Sequence, residues 1–266
     1  MVGSGGDARE NMVTLDGEVR IWDNLAELDP LWAVLSDPDR RFGGWDVGEF
    51  LATGEAEVTD VLATAAQLGR PRRYGRALDF GAGVGRLTRA LAKHFEEAVG
   101  VDVSTKMLSL ARDINADRGR CTFLVNADPD LRQFGDQSFD LVYSSLVLQH
   151  LPSADLAARY VAEFLRVVRP DGIVVFQAPY HVHWRNLLQL RRRLWAMLAR
   201  TGVRPAFLYG RMALHPIRMT ALPREQVQQL AETSGATIAQ VTVESIGGAY
   251  QTARYCILPA PETPPR

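Results

Sequence analysis

The amino-acid sequence predicts an α/β fold, with a mostly parallel sheet of seven strands and helices around it. From Arg76 onward, short apolar or β-branched runs alternate with stretches of helical periodicity, which is typical of successive parallel βαβ units. A glycine-rich loop at 81–85 follows the first of these runs and opens a helix. Such a loop lets the backbone pass close beneath a ligand, and the start of the helix offers free N–H groups to it.

The parallel part of the sheet accounts for five of the predicted strands. We expect them at 76–80, 98–102, 121–126, 139–144 and 172–177. Helices are predicted between them at 86–95, at 105–116 and from a Ser153 cap to a point before Pro170. A further helix at 224–234 precedes two strands, near 237–244 and 252–258, and the glycines at 247–248 between these strands indicate a terminal antiparallel hairpin.

The remaining segments are predicted from their composition. Residues 1–12 and the Pro-rich end at 259–266 lack apolar periodicity, so we expect disordered tails there. Residues 13–75 show helical patterns and are expected to form an N-terminal helical cap on the main domain at 76–258. Within that domain the βα alternation stops at 180–222, which we expect to be a helical lid insertion.

Composition and charge limit the expected partners, the state of the cysteines and the location of the protein. The 30 basic and 31 acidic residues give a net charge of -1, so no overall field favours nucleic acid or an anionic membrane. Cys121 and Cys256 lie in apolar runs and are expected to be reduced, buried thiols. No stretch approaches about eighteen continuous apolar residues, so no integral membrane association is expected and the protein is predicted to be cytoplasmic.

The chemistry is concentrated at the ends of three predicted strands. A dinucleotide-binding loop would favour Gly or Ala at the position of Arg86, so that residue argues against NAD or FAD. Asp102 ends the second strand about twenty residues beyond the glycines, where its carboxylate is able to accept from both hydroxyls of a ribose. The third strand ends at Asn126-Ala127-Asp128, which brings another acid to the same crevice.

This combination resembles the class I S-adenosylmethionine-dependent methyltransferases, over residues 76–177 and the final hairpin. The matching motifs are Asp79-x-Gly81-x-Gly83-x-Gly85, Asp102, Ala127-Asp128 and the run 139–151. The resemblance implies a Rossmann-like domain with S-adenosyl-L-methionine as cofactor. The cofactor-binding residues that it implies are Asp79, Gly81, Ala82, Gly83, Gly85, Arg86, Asp102, Val103, Met107, Ala127, Asp128, Ser145 and Leu146.

By that likeness, each group of residues meets a different part of the cofactor. Asp79 and the glycines would line its methionine part, Asp102 would hold the ribose, and Met107 would pack near the adenine. Asp128 would accept from the adenine amino group, while Ser145 and Leu146 would border the sulfonium. Arg86 has two interpretations, a partner of the cofactor's carboxylate or an exposed arginine in the first helical turn.

Three histidines are candidates for a general base. His150 follows the fourth strand on the crevice side, and His181 and His183 follow the fifth strand with side chains that point the same way. The alternatives are a supporting role for His150 and lid packing for the other two. A metal site at His181 and His183 lacks an identifiable third ligand, so no metal is predicted.

The leading functional hypothesis is O-methylation of a small molecule held between the N-terminal helices and the insertion. N- or C-methylation and a non-catalytic S-adenosylmethionine-binding protein stay open, whereas the charge balance disfavours RNA as acceptor. The insertion carries five arginines at 185, 191–193 and 200 beside apolar residues. Three interpretations of these arginines stay open. They face solvent on a lid helix, they contact a membrane surface, or they bind a phosphorylated, carboxylated or glycan acceptor. A homodimer is the other partner considered.

Overall fold

The computed structural model describes residues 7–117, 119–182, 188–212, 214–246 and 250–261. Its strands are β1 (Arg76–Phe80), β2 (Glu97–Asp102), β3 (Cys121–Val125), β4 (Phe139–Ser144), β5 (Val168–Val182), β6 (Thr237–Ile246) and β7 (Tyr250–Leu258). Within the described residues they form one seven-stranded sheet in the order β3-β2-β1-β4-β5-β7-β6. The first five positions in this order are parallel, and β7 is antiparallel to both β5 and β6. The predicted Rossmann-like fold with an antiparallel terminal hairpin is confirmed.

Helices cover both faces and the carboxyl edge of the sheet. In the described part of the chain they are α1 (Asp7–Leu28), α2 (Pro30–Val34), α3 (Val47–Gln67), α4 (Arg86–Leu91), α5 (Thr105–Ile114), α6 (Ala154–Val167), α7 (Leu190–Arg200), α8 (Pro205–Met212) and α9 (Arg224–Thr233). Short 3-10 turns occur at Pro38–Arg40 and Leu148–His150. None of these helices is both long and apolar enough to cross a membrane.

Side-chain caps fix where several helices begin. The Ser104 hydroxyl accepts from the Met107 amide at the start of α5, at 3.1 Å. The Ser153 hydroxyl accepts from the Leu156 amide at the start of α6, at 3.2 Å. Each cap satisfies an amide that has no partner inside its helix, so the loops before these helices end at defined points.

The order of the strands creates a crevice at one edge of the sheet. From β1 the chain crosses to β2 and then to β3 on one side, whereas β4 and β5 lie on the other side of β1. Such a reversal separates the loops that follow β1 and β4, and ligands of open α/β sheets bind there. The residues that follow the parallel strands therefore converge on one site.

Three segments differ from the sequence-based expectation. Residues 7–12, expected in a disordered tail, form the beginning of α1. Ala8, Arg9, Glu10 and Met12 are good helix formers, so the helix extends although the segment lacks an apolar stripe. The fifth strand, predicted at 172–177, runs from Val168 to Val182 because its second half pairs with β7. The hairpin turn at 247–249 lies outside the described residues, and the domain boundaries stay a prediction.

Candidate active site

Two adjoining cavities open at the carboxyl ends of the parallel strands. The first, called here the loop cavity, encloses about 100 Å³ above the glycine loop and is lined by Gly81, Gly83, Asp102 and Met107 among others. The second, the outer cavity, encloses about 670 Å³ between the N-terminal helices and the insertion. The two cavities share four lining residues, which are Ala33, Val34, Leu146 and His150.

The glycine loop is shaped so that only glycine fits at two positions. Gly81 and Gly83 have φ angles of +80° and +53°, in the left-handed region that side chains disfavour. A Cβ atom at Gly81 would lie 2.2 Å from a methyl carbon of Val147, and one at Gly83 would lie 2.5 Å from a methyl carbon of Val34. The backbone therefore forms the floor of the loop cavity, with α2 directly above it.

Asp102 lies at the position predicted for a ribose ligand. It lines the loop cavity at the end of β2, and its two carboxylate oxygens accept from the amides of Gly83 and Ser104, each at 2.9 Å. Burial raises the pKa of Asp102, and these amide hydrogen bonds act in the opposite direction. Each carboxylate oxygen accepts more than one hydrogen bond, so Asp102 keeps capacity for a ligand.

Five further predicted cofactor residues line the loop cavity: Gly81 and Gly83 form its floor, and Val103, Met107 and Ser145 contribute to its walls. Leu146 lines it too and has a φ of +62°, which is rare for a residue with a side chain. Backbone strain of this kind persists only where the surroundings impose it, and it clusters at binding sites.

Arg86 is placed differently from either interpretation of the sequence. Its guanidinium is 3% exposed, lines neither cavity and lies 2.7 Å from the Glu57 carboxylate of α3. The helices approach closely here because Gly54 has no side chain; a Cβ there would lie 2.6 Å from the Arg86 side chain. Arg86 therefore ties α3 to α4 and does not meet the cofactor site, nor is it exposed.

Glu57 connects that ion pair to the cavity wall. Tyr143 donates to the second Glu57 oxygen at 2.7 Å. Burial opposes ionisation of Glu57, but the charge of Arg86 and hydrogen bonds from Ser145 and Tyr143 outweigh it and lower the pKa of Glu57. Since Ser145 lines the loop cavity, this network holds the segment after β4 from behind.

Asp79 lies beneath the glycine loop and does not line the cavity. Its side chain is buried, and one carboxylate oxygen accepts from the Thr88 hydroxyl at 2.6 Å. The other oxygen has no hydrogen-bond partner among the described residues. Burial raises the pKa of Asp79 to about 7. Asp79, Ala82 and Gly85 thus contribute to the loop's structure, away from the cavity surface.

The end of β3 presents Asn126 to the loop cavity. Asn126 is buried there, whereas Ala127 and Asp128 are exposed and do not line it. The Tyr160 hydroxyl donates to the Asp128 backbone carbonyl at 2.6 Å, which turns this loop outward and leaves the amide of Asn126 inside. Asn126 is therefore the polar side chain of this strand end that reaches the loop cavity, and it was visible in the sequence two residues before Asp128.

His150 lies at the junction of the two cavities and lines both. Its Nδ1 lies 2.7 Å from the Arg218 carbonyl, so we assign the proton to Nδ1 and the lone pair to Nε2. Burial lowers the pKa of His150 to about 4. The imidazole is therefore neutral at pH 7, and its Nε2 accepts a long hydrogen bond of 3.3 Å from the Gln149 side-chain amide.

The other two candidate histidines do not join this site. His181 is exposed within β5, opposite Gln251 of β7, and lines neither cavity. His183 lies outside the described residues. Across the ranges that the structure describes, no three His, Cys, Asp or Glu side chains are grouped in a way that would hold a metal ion.

Sequence reasoning missed the residues that cover the site. Glu18 and Trp22 of α1 and Val34 of α2 line the loop cavity from above. Trp22 packs on His150 with ring centroids 5.4 Å apart, and Glu18 pairs with Arg218 of the insertion at 3.2 Å. Only the packing of α1 across the sheet edge brings these residues to the site, so their local sequence carried no signal.

A glycine floor after β1, an anchored carboxylate after β2 and a strained wall after β4 lie on the fold of the class I methyltransferases, whose cofactor is S-adenosylmethionine. Residues 78–176 match the family model described as a methyltransferase domain. That segment therefore belongs to the methyltransferase-domain family. A solved structure with the same fold is magnesium protoporphyrin IX methyltransferase from Synechocystis PCC 6803 with bound SAH, at a TM-score of 0.61 and 20% identity over 92% of this chain and 100% of that one.

Curated relatives are similar to part of the chain. A malonyl-[acyl-carrier protein] O-methyltransferase of Laribacter hongkongensis is 35% identical over 131 residues, which are 46% of this chain and 43% of the relative. A ubiquinone/menaquinone biosynthesis C-methyltransferase of Burkholderia mallei is 35% identical over 107 residues, which are 39% of this chain and 43% of the relative. The likeness spans less than half the length of these relatives.

Proposed function

We propose that this chain transfers the methyl group of S-adenosylmethionine to an oxygen atom of a small molecule. The donor would occupy the loop cavity and the acceptor the outer cavity. The observation that carries the proposal is the wall that the cavities share at Leu146 and His150, because ligands on its two sides meet there. Methyl transfer is an in-line displacement, so alignment in a site shielded from water is the main requirement.

The residues of the loop cavity fit a sulfonium nucleoside. The glycine floor admits a ligand against the backbone, Asp102 offers a carboxylate to a ribose, and Met107 offers an apolar surface to a base. The volume of about 100 Å³ is below the range of about 300–1,000 Å³ that is usual for ligand pockets. Trp22 and Val34 occupy space above the loop, so donor entry requires α1 and α2 to move outward.

His150 is the residue best placed to act on the acceptor. S-adenosylmethionine, when bound, supplies a methyl group on a cationic sulfur; the S–CH3 bond breaks as the O–CH3 bond forms, and a neutral thioether leaves. Nε2 of His150 accepts the hydroxyl proton of the acceptor and passes it to water. A pKa of about 4 makes His150 a weak base, so the acceptors that fit this step are acidic hydroxyls such as those of phenols or enols.

The relatives support methyl transfer without choosing the atom, since their names include an O-methyltransferase and a C-methyltransferase. The neutral imidazole at the junction is what favours oxygen. A cytoplasmic location and a homodimer stay predictions.

Calorimetry with S-adenosylhomocysteine tests the donor site. Asp102→Ala removes a charged acceptor, so affinity should fall about tenfold or more. Asp113→Ala, an exposed aspartate on α5, is the matched control and should bind as the wild type does. Equal affinity in wild type and Asp102→Ala would remove the donor assignment.

Incubation with a methyl-labelled donor tests the reaction. Phenols, carboxylic acids, amines and active-methylene compounds are offered separately, and label should appear on oxygen. His150→Ala should lower turnover far more than it lowers donor affinity. Label on nitrogen or carbon would overturn O-methylation, and donor binding without any transfer would favour a non-catalytic donor-binding protein.

A further inference from the structure

The walls of the outer cavity have two distinct chemical parts. One part is apolar and includes Trp32, Leu35, Ile217, Met219 and Tyr250. The Trp32 ring is held in place by a hydrogen bond from its Nε1 to the Asp37 carbonyl, at 2.9 Å. With a volume of about 670 Å³, the cavity is large enough for a flat or elongated apolar body.

The other part of the wall is cationic. Arg191 and Arg192 at the start of α7 line the cavity, and no Asp or Glu occurs among its described lining residues. Arg191 is exposed, whereas Arg192 is half-buried. The local charge therefore differs from the net charge of -1 of the whole chain.

Arg192 forms no direct ion pair among the described residues, and the carboxylate of Glu18, which pairs with Arg218, acts on it only from a distance. Its Nη1 donates a long hydrogen bond of 3.4 Å to the side-chain oxygen of Gln189. Burial and the like charge of Arg218 lower the pKa of Arg192. A partly buried cation is unfavourable unless an anion accompanies it, so a bound anion would offset this cost.

The neighbouring arginine is already neutralised. Arg218 pairs with Glu18 at 3.2 Å and donates to the Pro152 carbonyl at 2.7 Å. Glu18 thus neutralises Arg218, and solvent screens the exposed Arg191, so Arg192 is the partly buried positive charge that is left for a ligand. The carboxylate of Glu18 would also repel a second negative charge, so a monoanion fits better than a dianion.

His215 adds a polar group to the same cavity. It lines the wall beside Trp32, and its Nδ1 has no hydrogen-bond partner among the described residues. A ligand that fills the cavity is therefore offered an apolar wall and a guanidinium, with the His215 ring beside them. Ligand pockets commonly combine a large apolar surface with few polar groups that fix orientation.

We propose that the outer cavity binds an amphipathic monocarboxylate, with Arg192 as the residue that recognises the carboxylate. This inference rests on the proposed function, because it assigns the outer cavity to the methyl acceptor. An arginine binds a carboxylate through two parallel hydrogen bonds, which gives orientation as well as affinity. In this proposal Arg192 serves the acceptor, which is one of the interpretations that the sequence left open for the arginines of the insertion.

The test compares two probes that differ only in charge. Binding of 2-naphthoate and of 2-naphthamide is measured by calorimetry at pH 7, with S-adenosylhomocysteine present. Wild type should bind the carboxylate about tenfold tighter than the amide or better, as expected for one charge-assisted pair. Arg192→Gln should bring the two affinities within about twofold, and Arg192→Lys should restore part of the preference.

Arg193→Gln is the matched control, because Arg193 is an exposed neighbour on α7 that does not line the cavity, and it should keep the wild-type preference. Equal binding of both probes by wild type, binding of neither, or a preference that survives Arg192→Gln would overturn the inference. Tighter binding of 1-naphthyl phosphate than of naphthoate would overturn the monoanion assignment. Failure of the donor site is seen separately, as absent binding of S-adenosylhomocysteine alone.

Discussion

Glu18 of α1 and Arg218 of the insertion form an ion pair with a nitrogen–oxygen distance of 3.2 Å, although 200 residues separate them in the chain. Both side chains are largely shielded from solvent, with 9% and 18% exposed. A second link joins the same two regions, because the Tyr209 hydroxyl donates to the buried Asp29 carboxylate at 2.8 Å. The N-terminal helices and the insertion therefore close over the site together.

Replacement of Arg218 by Gln should loosen the cap. It leaves the Glu18 carboxylate without its counter-ion, and an unpaired group of this kind costs about 2 kcal/mol. Burial raises the pKa of Glu18, and the charge of Arg218 opposes that rise. Because the ion pair stabilises only the ionised carboxylate, the loss of unfolding free energy in the variant should grow as the pH increases from 4 to 8. Amide hydrogen exchange in α1 should accelerate. Arg211→Gln, an exposed change on α8, is the control, and equal exchange rates in both variants would contradict the role of the ion pair.

Gly83→Ala should disturb the contact between the loop and α2. The added Cβ would lie 2.5 Å from Val34, in a backbone conformation that costs a residue with a side chain about 1–2 kcal/mol. Unfolding in urea should show at least that loss, and Val34→Ala in the same chain should recover part of it. Gly119→Ala, where a Cβ meets nothing within 4 Å, should be nearly neutral. If Gly83→Ala and Gly119→Ala were equally stable, the close approach of Gly83 to Val34 would be refuted.

Glu57→Gln should be among the more damaging substitutions away from the cavity surface. It leaves the guanidinium of Arg86, 3% exposed, without a counter-ion, and such a change costs about 3–5 kcal/mol. Glu55→Gln breaks an exposed pair with Lys93 and should cost less than about 1 kcal/mol. Denaturant unfolding measures both. A similar small loss in the two variants would show that the Glu57 network contributes little.

His150 should make stability depend on pH in a defined direction. Its pKa is about 4 in the folded chain and 6.5 without perturbation, so the unfolded chain binds more protons between these values. The stability that the neutral imidazole contributes is complete above pH 6.5 and is lost as the pH falls to 4. The difference in unfolding free energy between wild type and His150→Gln should follow that course. His94→Gln, an exposed change, is the control, and a difference that does not vary with pH would contradict the buried neutral form.

The sequence predicted those parts of the fold that follow from local pattern. β1 and β4 have the predicted limits, and α5 and α6 begin at the predicted positions because Ser104 and Ser153 are caps. Gly81, Gly83 and Asp102 were predicted as ligands from their spacing and do line the loop cavity. Their placement depends on strand ends and backbone conformation, which the local sequence encodes.

The remaining site residues depend on packing between distant segments. Arg86 looks the same in sequence whether it faces a ligand or Glu57, and only the position of α3 decides between them. Asp128 and Asn126 are two residues apart, and the hydrogen bond from Tyr160 decides which of them turns inward. The contributions of Glu18 and Trp22 require α1 to cross the sheet edge, which no local pattern specifies.

The wall shared by the two cavities has a kinetic consequence. Val34 lies above the glycine floor and also borders the outer cavity, so an occupant of the outer cavity would hold α2 down and block the route to the floor. We therefore expect a compulsory order of substrate binding and product release. S-adenosylmethionine associates first, the methylated product dissociates before S-adenosylhomocysteine, and steady-state inhibition by S-adenosylhomocysteine is competitive against the first substrate alone.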